Sequence, residues 1–186
     1  MSYFEVLRRI TQALDSARIP YMLTGSFASA YYGSMRSTQD IDLIIEATPT
    51  QLQSFLNGLA REEYYADVET AIKAQMSESV FNIIDIRTGW KIDMIIRKSR
   101  AFSREEFSHR QRAEMQGVSL FVASAEDMVL AKLEWAKLGE SRRQIEDAAT
   151  ILKLQDDRLD RQYLGKWARE LGLSRQWDDA QRLAKS

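Results

Sequence analysis

Three aspartates on two predicted strands are the residues of this chain best suited to chemistry. Asp40 and Asp42 occur in the segment Asp-Ile-Asp-Leu-Ile-Ile, and Asp93 occurs in the similar segment Lys-Ile-Asp-Met-Ile-Ile. Side chains two residues apart on a strand point to the same face and lie about 7 Å apart. Carboxylates at that spacing repel each other, and the apolar residues around them predict central strands, where an unpaired charge is costly. The pattern therefore indicates a divalent cation such as Mg²⁺, which proteins typically hold by one or two carboxylates and substrate phosphates, with solvated acids at a strand end as the alternative.

Asp85 is a rival for the position of the third carboxylate. A two-residue turn at Thr88-Gly89 would join two strands and place Ile84 opposite Asp93. Asp85 would then point to the other face of the sheet, although a register shift of one residue would reverse that conclusion. Near the end of the hairpin, Asp85 is also interpretable as a solvated residue.

A glycine and a serine follow the first predicted strand and could bind an anion. Gly25 would let the backbone approach a ligand closely, and Ser26 would add a hydroxyl donor at the start of a helix. A simple turn is the alternative for this pair. In the loop that follows, Arg36 could bind a phosphate through two hydrogen bonds or lie on the surface. Thr38 could orient the same loop through a bond from its side chain to the backbone.

The composition excludes several other classes of site. The chain has 186 residues, a formal net charge of −1, no cysteine and a single histidine, His109. Disulfides, thiolate metal sites and sites with several histidines are therefore excluded, and there is no global basic field to attract nucleic acid. His109 is predicted to be an exposed surface residue. No apolar run approaches the length of a membrane span, and the amphipathic N-terminus does not look like a signal peptide, so we expect a soluble cytoplasmic protein with no membrane partner.

The apolar periodicity predicts an α/β (α+β) protein whose last third is helical. We expect a mixed sheet flanked by helices in a domain over 1–122, and a C-terminal helical bundle over 123–186 packed against it. Strands are predicted at 21–24, 40–46, 81–86, 91–97 and 118–122, and helices at 2–17, 27–32, 48–60, 68–76, 103–116, 125–138, 141–155, 158–171 and 174–184.

Two kinds of residue in the helical part need an interpretation. Trp135, Leu138 and Trp167 are predicted to pack in the core rather than to stack on a base. Lys132 falls among apolar neighbours, which indicates an amine that either extends to water or reaches a cleft.

Taken together, these motifs resemble the nucleotidyltransferase superfamily of the DNA polymerase β type. The resemblance rests on the Gly-Ser turn, Arg36 and Thr38 before Asp-Ile-Asp, and the aspartate on a later strand. The chain is more similar still to bacterial nucleotidyltransferases of the abortive-infection toxin type, and this similarity spans about residues 5–172. Two helical segments carry it: Glu-Asp-Met-Val-Leu-Ala-Lys-Leu at 126–133, and the segment with an aspartate before Ile-Leu at 144–152.

The resemblance implies a minimal nucleotidyltransferase sheet and a set of roles for these residues. Asp40, Asp42 and Asp93 would be catalytic and would bind two Mg²⁺ ions. Lys132 would be a further catalytic residue, approaching the nucleotide from the helical side. The nucleotide-binding residues would be Gly25, Ser26, Arg36, Thr38 and Asp147.

The implied reaction transfers a nucleoside monophosphate from an NTP to a hydroxyl acceptor, with Mg²⁺ as cofactor. RNA, tRNA or protein is the implied acceptor, and a toxin with an antitoxin protein as partner is the implied biological setting. A catalytically silent module that binds a nucleotide or a partner with the same fold is the alternative. A metal-dependent nuclease is a third reading, against which the Gly-Ser motif argues because it suits a triphosphate.

Overall fold

The computed structural model of the chain describes residues 3–34 and 38–185, and all counts below refer to these residues. The strands are β1 (Tyr21–Thr24), β2 (Asp40–Ile45), β3 (Tyr64–Ala66), β4 (Val80–Asp85), β5 (Lys91–Ile96), β6 (Gln111–Met115) and β7 (Val118–Val122). The helices are α1 (Tyr3–Ser16), α2 (Gly25–Tyr31), α3 (Pro49–Gly58), α4 (Val68–Ser77), α5 (Ala101–Ser108), α6 (Ala125–Gly139), α7 (Arg142–Gln155), α8 (Arg161–Glu170) and α9 (Ser174–Ala184). A short 3₁₀ turn, Asp156–Arg158, follows α7. None of the helices in the described ranges is both long and apolar enough to cross a bilayer.

The strands form one mixed sheet in the order β3-β4-β5-β2-β1-β7-β6. β1 runs parallel to β7 and β2 runs parallel to β5, whereas the remaining neighbours are antiparallel. β2 therefore lies in the middle of the sheet, with β5 on one side and β1 on the other. The predicted fold class, a mixed sheet flanked by helices, is confirmed.

The chain is divided into two compact units. One contains residues 3–25 and 38–122, with the whole sheet and helices α1, α3, α4 and α5; the other contains residues 26–34 and 123–185, with α6 to α9. Residues 26–34 thus belong to the same unit as the C-terminal helices, whereas the predicted division assigns them to the domain over 1–122.

Strict alternation of burial along the two central strands explains how the sheet presents polar residues. Ile41, Leu43 and Ile45 of β2 are buried, and the residues between them are half-buried. β5 repeats this pattern with Ile92, Met94 and Ile96 buried. Because a strand alternates its side chains between two faces, one face of β2 and β5 belongs to the core and the other is accessible.

Local capping residues begin several helices where the sequence predicts them. Thr48 caps α3 by accepting a hydrogen bond from the Gln51 amide, and the Gln51 side chain in turn accepts one from the backbone of Thr48. At α6 the Ser124 hydroxyl oxygen accepts a hydrogen bond from the Asp127 amide at 3.1 Å. Ser124 thus caps α6 with its side chain, and the side chain of Asp127 accepts a hydrogen bond from the serine hydroxyl.

Two strands lie where the sequence predicted none. Residues Tyr64–Ala66 form the edge strand β3, and Gln111–Met115 form the edge strand β6 within the segment predicted as helix to residue 116. β6 joins β7 through a two-residue turn in which Gln116 and Gly117 both have positive φ, of 50° and 74°. This turn geometry matches the twist of a tight hairpin, so a helix that continued through it would be interrupted.

The prediction for the β4–β5 turn was also wrong in length. The Asp85 amide donates to the Trp90 carbonyl at 2.9 Å, so pairing continues to these two residues and the loop between them has four residues, 86–89. Asn82 rather than Ile84 therefore lies opposite Asp93. The register differs from the prediction by two residues, which leaves each side chain on its predicted face.

The helical unit packs around α6 and α7, and it corrects one expectation about its aromatic residues. Trp167 is buried, as predicted. Trp135 and Leu138 are not core residues, because their exposed fractions are 63% and 76%. Both lie on a face of α6 that helical periodicity alone does not distinguish from its buried face.

Candidate active site

The three aspartates singled out from the sequence lie on one face of the sheet. In the parallel pair of β2 and β5, Asp42 is directly beside Asp93. Asp40 precedes Asp42 by two residues and shares its face, as the alternation of burial along β2 also shows. Asp93 on the opposite face would have ruled out a shared cation, and the structure places it on the same face.

The turn at Gly25 lies against the carboxylate of Asp42. β1 pairs with β2 so that Thr24 is opposite Asp42, and Gly25 follows directly with a φ of +65°. A Cβ atom on residue 25 would lie 1.9 Å from Oδ2 of Asp42 and 2.6 Å from its Cγ. Only glycine tolerates both the left-handed backbone and this approach. Gly25 of the predicted Gly-Ser turn therefore lies directly against one of the predicted carboxylates. Ser26, the next residue, is buried.

A lysine ammonium group stands between two of the aspartates. Lys91 is paired in register with Asp40 across the β2–β5 ladder. Its Nζ atom lies 3.2 Å from Oδ1 of Asp40 and 3.3 Å from Oδ2 of Asp93. Asn82 occupies the other oxygen of Asp93, since its Nδ2 donates to Oδ1 at 2.5 Å. Both oxygens of Asp93 thus accept hydrogen bonds in this arrangement.

The acidic surroundings keep the amine of Lys91 charged. Partial burial lowers the pKa of Lys91, but hydrogen bonds to Asp40 and Asp93 and the charges of these carboxylates raise the pKa by more. The net shift is upward, so the ammonium form persists through neutral pH. Lys91 was not among the predicted site residues, although its position two residues before Asp93 on one strand places both side chains on one face.

Asp85, the rival for the third carboxylate, has a structural role. It points to the opposite face from Asp93, as predicted, but it is fully buried rather than solvated. Its carboxylate pairs with the guanidinium of Arg9. Thr88 donates to Oδ1 of Asp85 from both its amide and its hydroxyl, at 3.0 and 2.9 Å. These partners satisfy a buried charge and tie α1 to the β4–β5 loop.

The predicted residues of the loop before β2 are only partly within the described ranges. The amide of Asp40 donates to Oγ1 of Thr38 at 3.3 Å, which is the kind of side-chain to backbone bond expected of Thr38. Arg36 lies outside the described residues. Nucleotide binding by Thr38 and Arg36 stays a prediction.

Lys132 and Asp147 form a buried ion pair inside the helical unit. The ammonium of Lys132, on α6, lies 2.9 Å from Oδ2 of Asp147, on α7, and 3.5 Å from Oε1 of Gln144. The side chain of Lys132 is only 5% exposed, so extension to bulk water does not explain its position among apolar residues. Contact of either residue with a nucleotide stays a prediction. His109, at the end of α5, is exposed as expected.

A comparison with protein families decides what kind of protein carries these residues. The family described as "Nucleotidyltransferase of unknown function (DUF6036)" matches residues 1–170. The chain belongs to this family. The predicted membership of the nucleotidyltransferases is confirmed, whereas the toxin-type subclass stays a prediction. A comparison with curated proteins gives no match.

Solved structures share the fold of this nucleotidyltransferase. An antigenic nucleotidyltransferase-like protein from Paracoccidioides brasiliensis is 17% identical with a TM-score of 0.59, over 97% of this chain and 91% of that chain. ANT(2")-Ia in complex with adenylyl-2"-tobramycin is 13% identical with a TM-score of 0.56, over 100% and 98% of the two chains. The lincosamide antibiotic adenylyltransferase LnuA with bound lincomycin is 12% identical with a TM-score of 0.52, over 78% and 93%. At these identities the similarity shows a common fold.

The three aspartates of the nucleotidyltransferase offer oxygen atoms of the type that Mg²⁺ prefers. Three carboxylates share one accessible face, and hard divalent cations prefer such oxygen donors. Their side chains do not converge, however: within residues 3–34 and 38–185, no three acidic or histidine side chains are gathered closely enough to hold a metal ion. Lys91 bridges Asp40 and Asp93 instead. The ligand types and the shared face fit the cation, whereas the separation of the three side chains and the bridge from Lys91 both differ from a metal-holding arrangement.

Proposed function

We propose that this chain is a Mg²⁺-dependent nucleotidyltransferase that transfers a nucleoside monophosphate from an NTP to a hydroxyl group of RNA, tRNA or protein. The observation that carries the proposal is the contact between Gly25 and Asp42 on the face that also holds Asp40 and Asp93. It joins a glycine turn suited to phosphate and a set of carboxylates suited to a divalent cation in one place.

The carboxylates would carry the metal-dependent part of this reaction. Asp40, Asp42 and Asp93 would hold the two Mg²⁺ ions that the resemblance implies, which when bound would neutralise charge on the attacking and leaving oxygens. Gly25 would leave its backbone accessible to the triphosphate, and the hydroxyl of Ser26 would donate to a phosphate oxygen.

Proton transfer would depend on Asp93. The acceptor oxygen would form a bond to the α-phosphorus, the bond from that phosphorus to the bridging oxygen would break, and pyrophosphate would leave. Asp93 would take the hydroxyl proton as general base. Its oxygens each accept one hydrogen bond, from Asn82 and from Lys91, which hold the carboxylate in place and leave a lone pair on each oxygen for the proton.

The remaining predicted residues would assist nucleotide binding. Arg36 and Lys132 would supply positive charge to the phosphates. Thr38 would fix the start of β2 through its bond to Asp40. Asp147 would hold the amine of Lys132 in place, as its position at 2.9 Å allows. A toxin role and an antitoxin partner stay predictions from the resemblance.

Label transfer from radioactive nucleotides tests the proposal. The full chain is incubated with each α-labelled NTP, Mg²⁺ and total RNA, tRNA or total protein, with tobramycin and lincomycin as small hydroxyl acceptors in separate reactions. We expect transfer by the wild type and a loss of at least about 100-fold in Asp40→Asn/Asp42→Asn, since the charges that stabilise the transition state are removed. Glu69→Gln is the matched control, because this exposed acid forms an ion pair with Lys73 on the same helix.

The outcomes separate the enzyme from the silent module. Nucleotide binding without transfer to any acceptor would support the silent module. Transfer that is equal in the wild type and the double variant would contradict the proposed role of the aspartates. Growth arrest on expression of the wild type, but not of Asp40→Asn/Asp42→Asn, would support the toxin role.

A further inference from the structure

The ammonium of Lys91 lies between two carboxylates of the proposed metal site, those of Asp40 and Asp93. We propose that Lys91 is a built-in counter-cation that competes with a divalent metal ion for Asp40 and Asp93. This inference rests on the proposed metal-binding role of these aspartates. It adds a residue that limits the affinity of the site for metal.

The contacts of Asp93 show why the two cations exclude each other. Its Oδ2 atom is 3.3 Å from the ammonium of Lys91, and its Oδ1 atom accepts from Asn82. A Mg²⁺ ion binds oxygen at about 2.0–2.1 Å, so a Mg²⁺ ion and the ammonium of Lys91 on neighbouring lone pairs of Oδ2 would be two like charges that repel each other. Asn82 is neutral and can keep its oxygen, whereas this repulsion would displace Lys91 when Asp93 becomes a ligand.

Lys91 is able to leave because it is not held by packing. Its side chain is 42% exposed, whereas that of Lys132, the buried lysine of the helical unit, is 5% exposed. A lysine side chain on four flexible carbons can turn into water without opening a cavity. Entry of the metal would therefore be coupled to movement of this one side chain, with no change in the β2–β5 register.

The two ion pairs of Lys91 set the size of the competition. Each partly exposed pair favours the state in which Lys91 contacts the carboxylates, over the state in which it has turned away, by a factor of about 1.4 to 5. Both pairs must break for the metal to bind, so replacing Lys91 by the uncharged methionine should tighten metal binding by about 2- to 30-fold. Lys91→Arg keeps the charge and should bind metal no more tightly than the wild type, because a guanidinium pairs well with carboxylates.

Titration with Mn²⁺ alone, followed by the electron paramagnetic resonance signal of the free ion, tests the competition on the full chain without nucleotide. The variants are Lys91→Met and Lys91→Arg, with Asp42→Asn to locate the ion. Lys73→Met is the matched control, because Lys73 also forms an ion pair with an acid, at 2.7 Å from Glu69, and contacts none of the three aspartates. We expect tighter binding in Lys91→Met alone and weaker binding in Asp42→Asn.

Mn²⁺ binding by the variants distinguishes failure of this inference from failure of the proposed function. If Lys91→Met binds Mn²⁺ no more tightly than the wild type while Asp42→Asn binds it less tightly, the metal site stands and the competition is refuted. If Asp42→Asn leaves binding unchanged, or no variant binds Mn²⁺, the metal site of the proposed function is contradicted and the competition falls with it.

Discussion

Gly25→Ala is the substitution that the geometry of the site constrains most tightly. The new Cβ atom would lie 1.9 Å from Oδ2 of Asp42, so the carboxylate would have to move by about 1.5 Å to reach ordinary contact near 3.4 Å. The substitution also places a side chain at a φ of +65°, which costs an L-residue roughly 1–2 kcal/mol. The first effect displaces a proposed metal ligand, and the second affects only stability.

Gly117→Ala separates these two effects. Gly117 also has a positive φ, of +74°, but a Cβ atom there meets nothing within 4 Å. Both variants should lose about 1–2 kcal/mol of unfolding free energy from backbone strain, and Gly25→Ala should lose more because Asp42 must rearrange. Only Gly25→Ala should lose function, by about 100-fold, since a misplacement of about 1 Å in a catalytic site has that effect.

Urea denaturation, Mn²⁺ titration and label transfer on the two variants test whether the Gly25 turn and Asp42 form one site. The expected result is a loss of unfolding free energy in both variants that is larger in Gly25→Ala, with loss of Mn²⁺ binding and transfer confined to Gly25→Ala. Equal Mn²⁺ binding and equal transfer in both variants would refute the idea that the Gly25 turn and Asp42 form one site.

Two ion pairs, each with one buried partner, give further predictions. Arg9→Met should lower the free energy of unfolding by about 3–5 kcal/mol in urea melts, because it leaves the fully buried Asp85 without its charge partner. Arg8→Met, at the exposed neighbouring residue, should change the free energy of unfolding by less than about 0.5 kcal/mol. Similar losses in the two variants would contradict the structural role of the Arg9–Asp85 pair. Lys132→Met should cost a similar amount, and Lys132→Met/Asp147→Leu should recover much of it, since no unpaired charge then stays buried. If these residues contact the nucleotide, the double variant should fold yet transfer no label, and wild-type transfer by it would exclude that contact.

The elements around the aspartates are predictable because local pattern determines them. β2 and β5 alternate apolar and polar residues with period two, and the structure buries the apolar set in both. β6 escaped prediction because it is an edge strand whose exposed positions, such as Arg112 and Glu114, are polar. Only Ala113 and Met115 on it face the core, which is too little alternation to outweigh a helical interpretation of 103–116.

The finer features of the site depend on pairing between distant segments. Asn82 reaches Asp93 because a four-residue loop sets the β4–β5 register, which the Thr88-Gly89 pair did not reveal. The contact of Gly25 with Asp42 similarly requires the antiparallel register of β1 and β2. Such registers are fixed by packing of the whole sheet rather than by neighbouring residues, so a single sequence specifies the types of ligand more readily than their contacts.

Anomalous diffraction from crystals grown with Mn²⁺ and a non-hydrolysable ATP analogue tests the central claim most directly. The account predicts a Mn²⁺ peak within about 2.3 Å of carboxylate oxygens of Asp42 and Asp93, with the triphosphate beside Gly25 and Lys91 turned away from Asp93. Mn²⁺ and nucleotide bound with none of the three aspartates as ligands would contradict it.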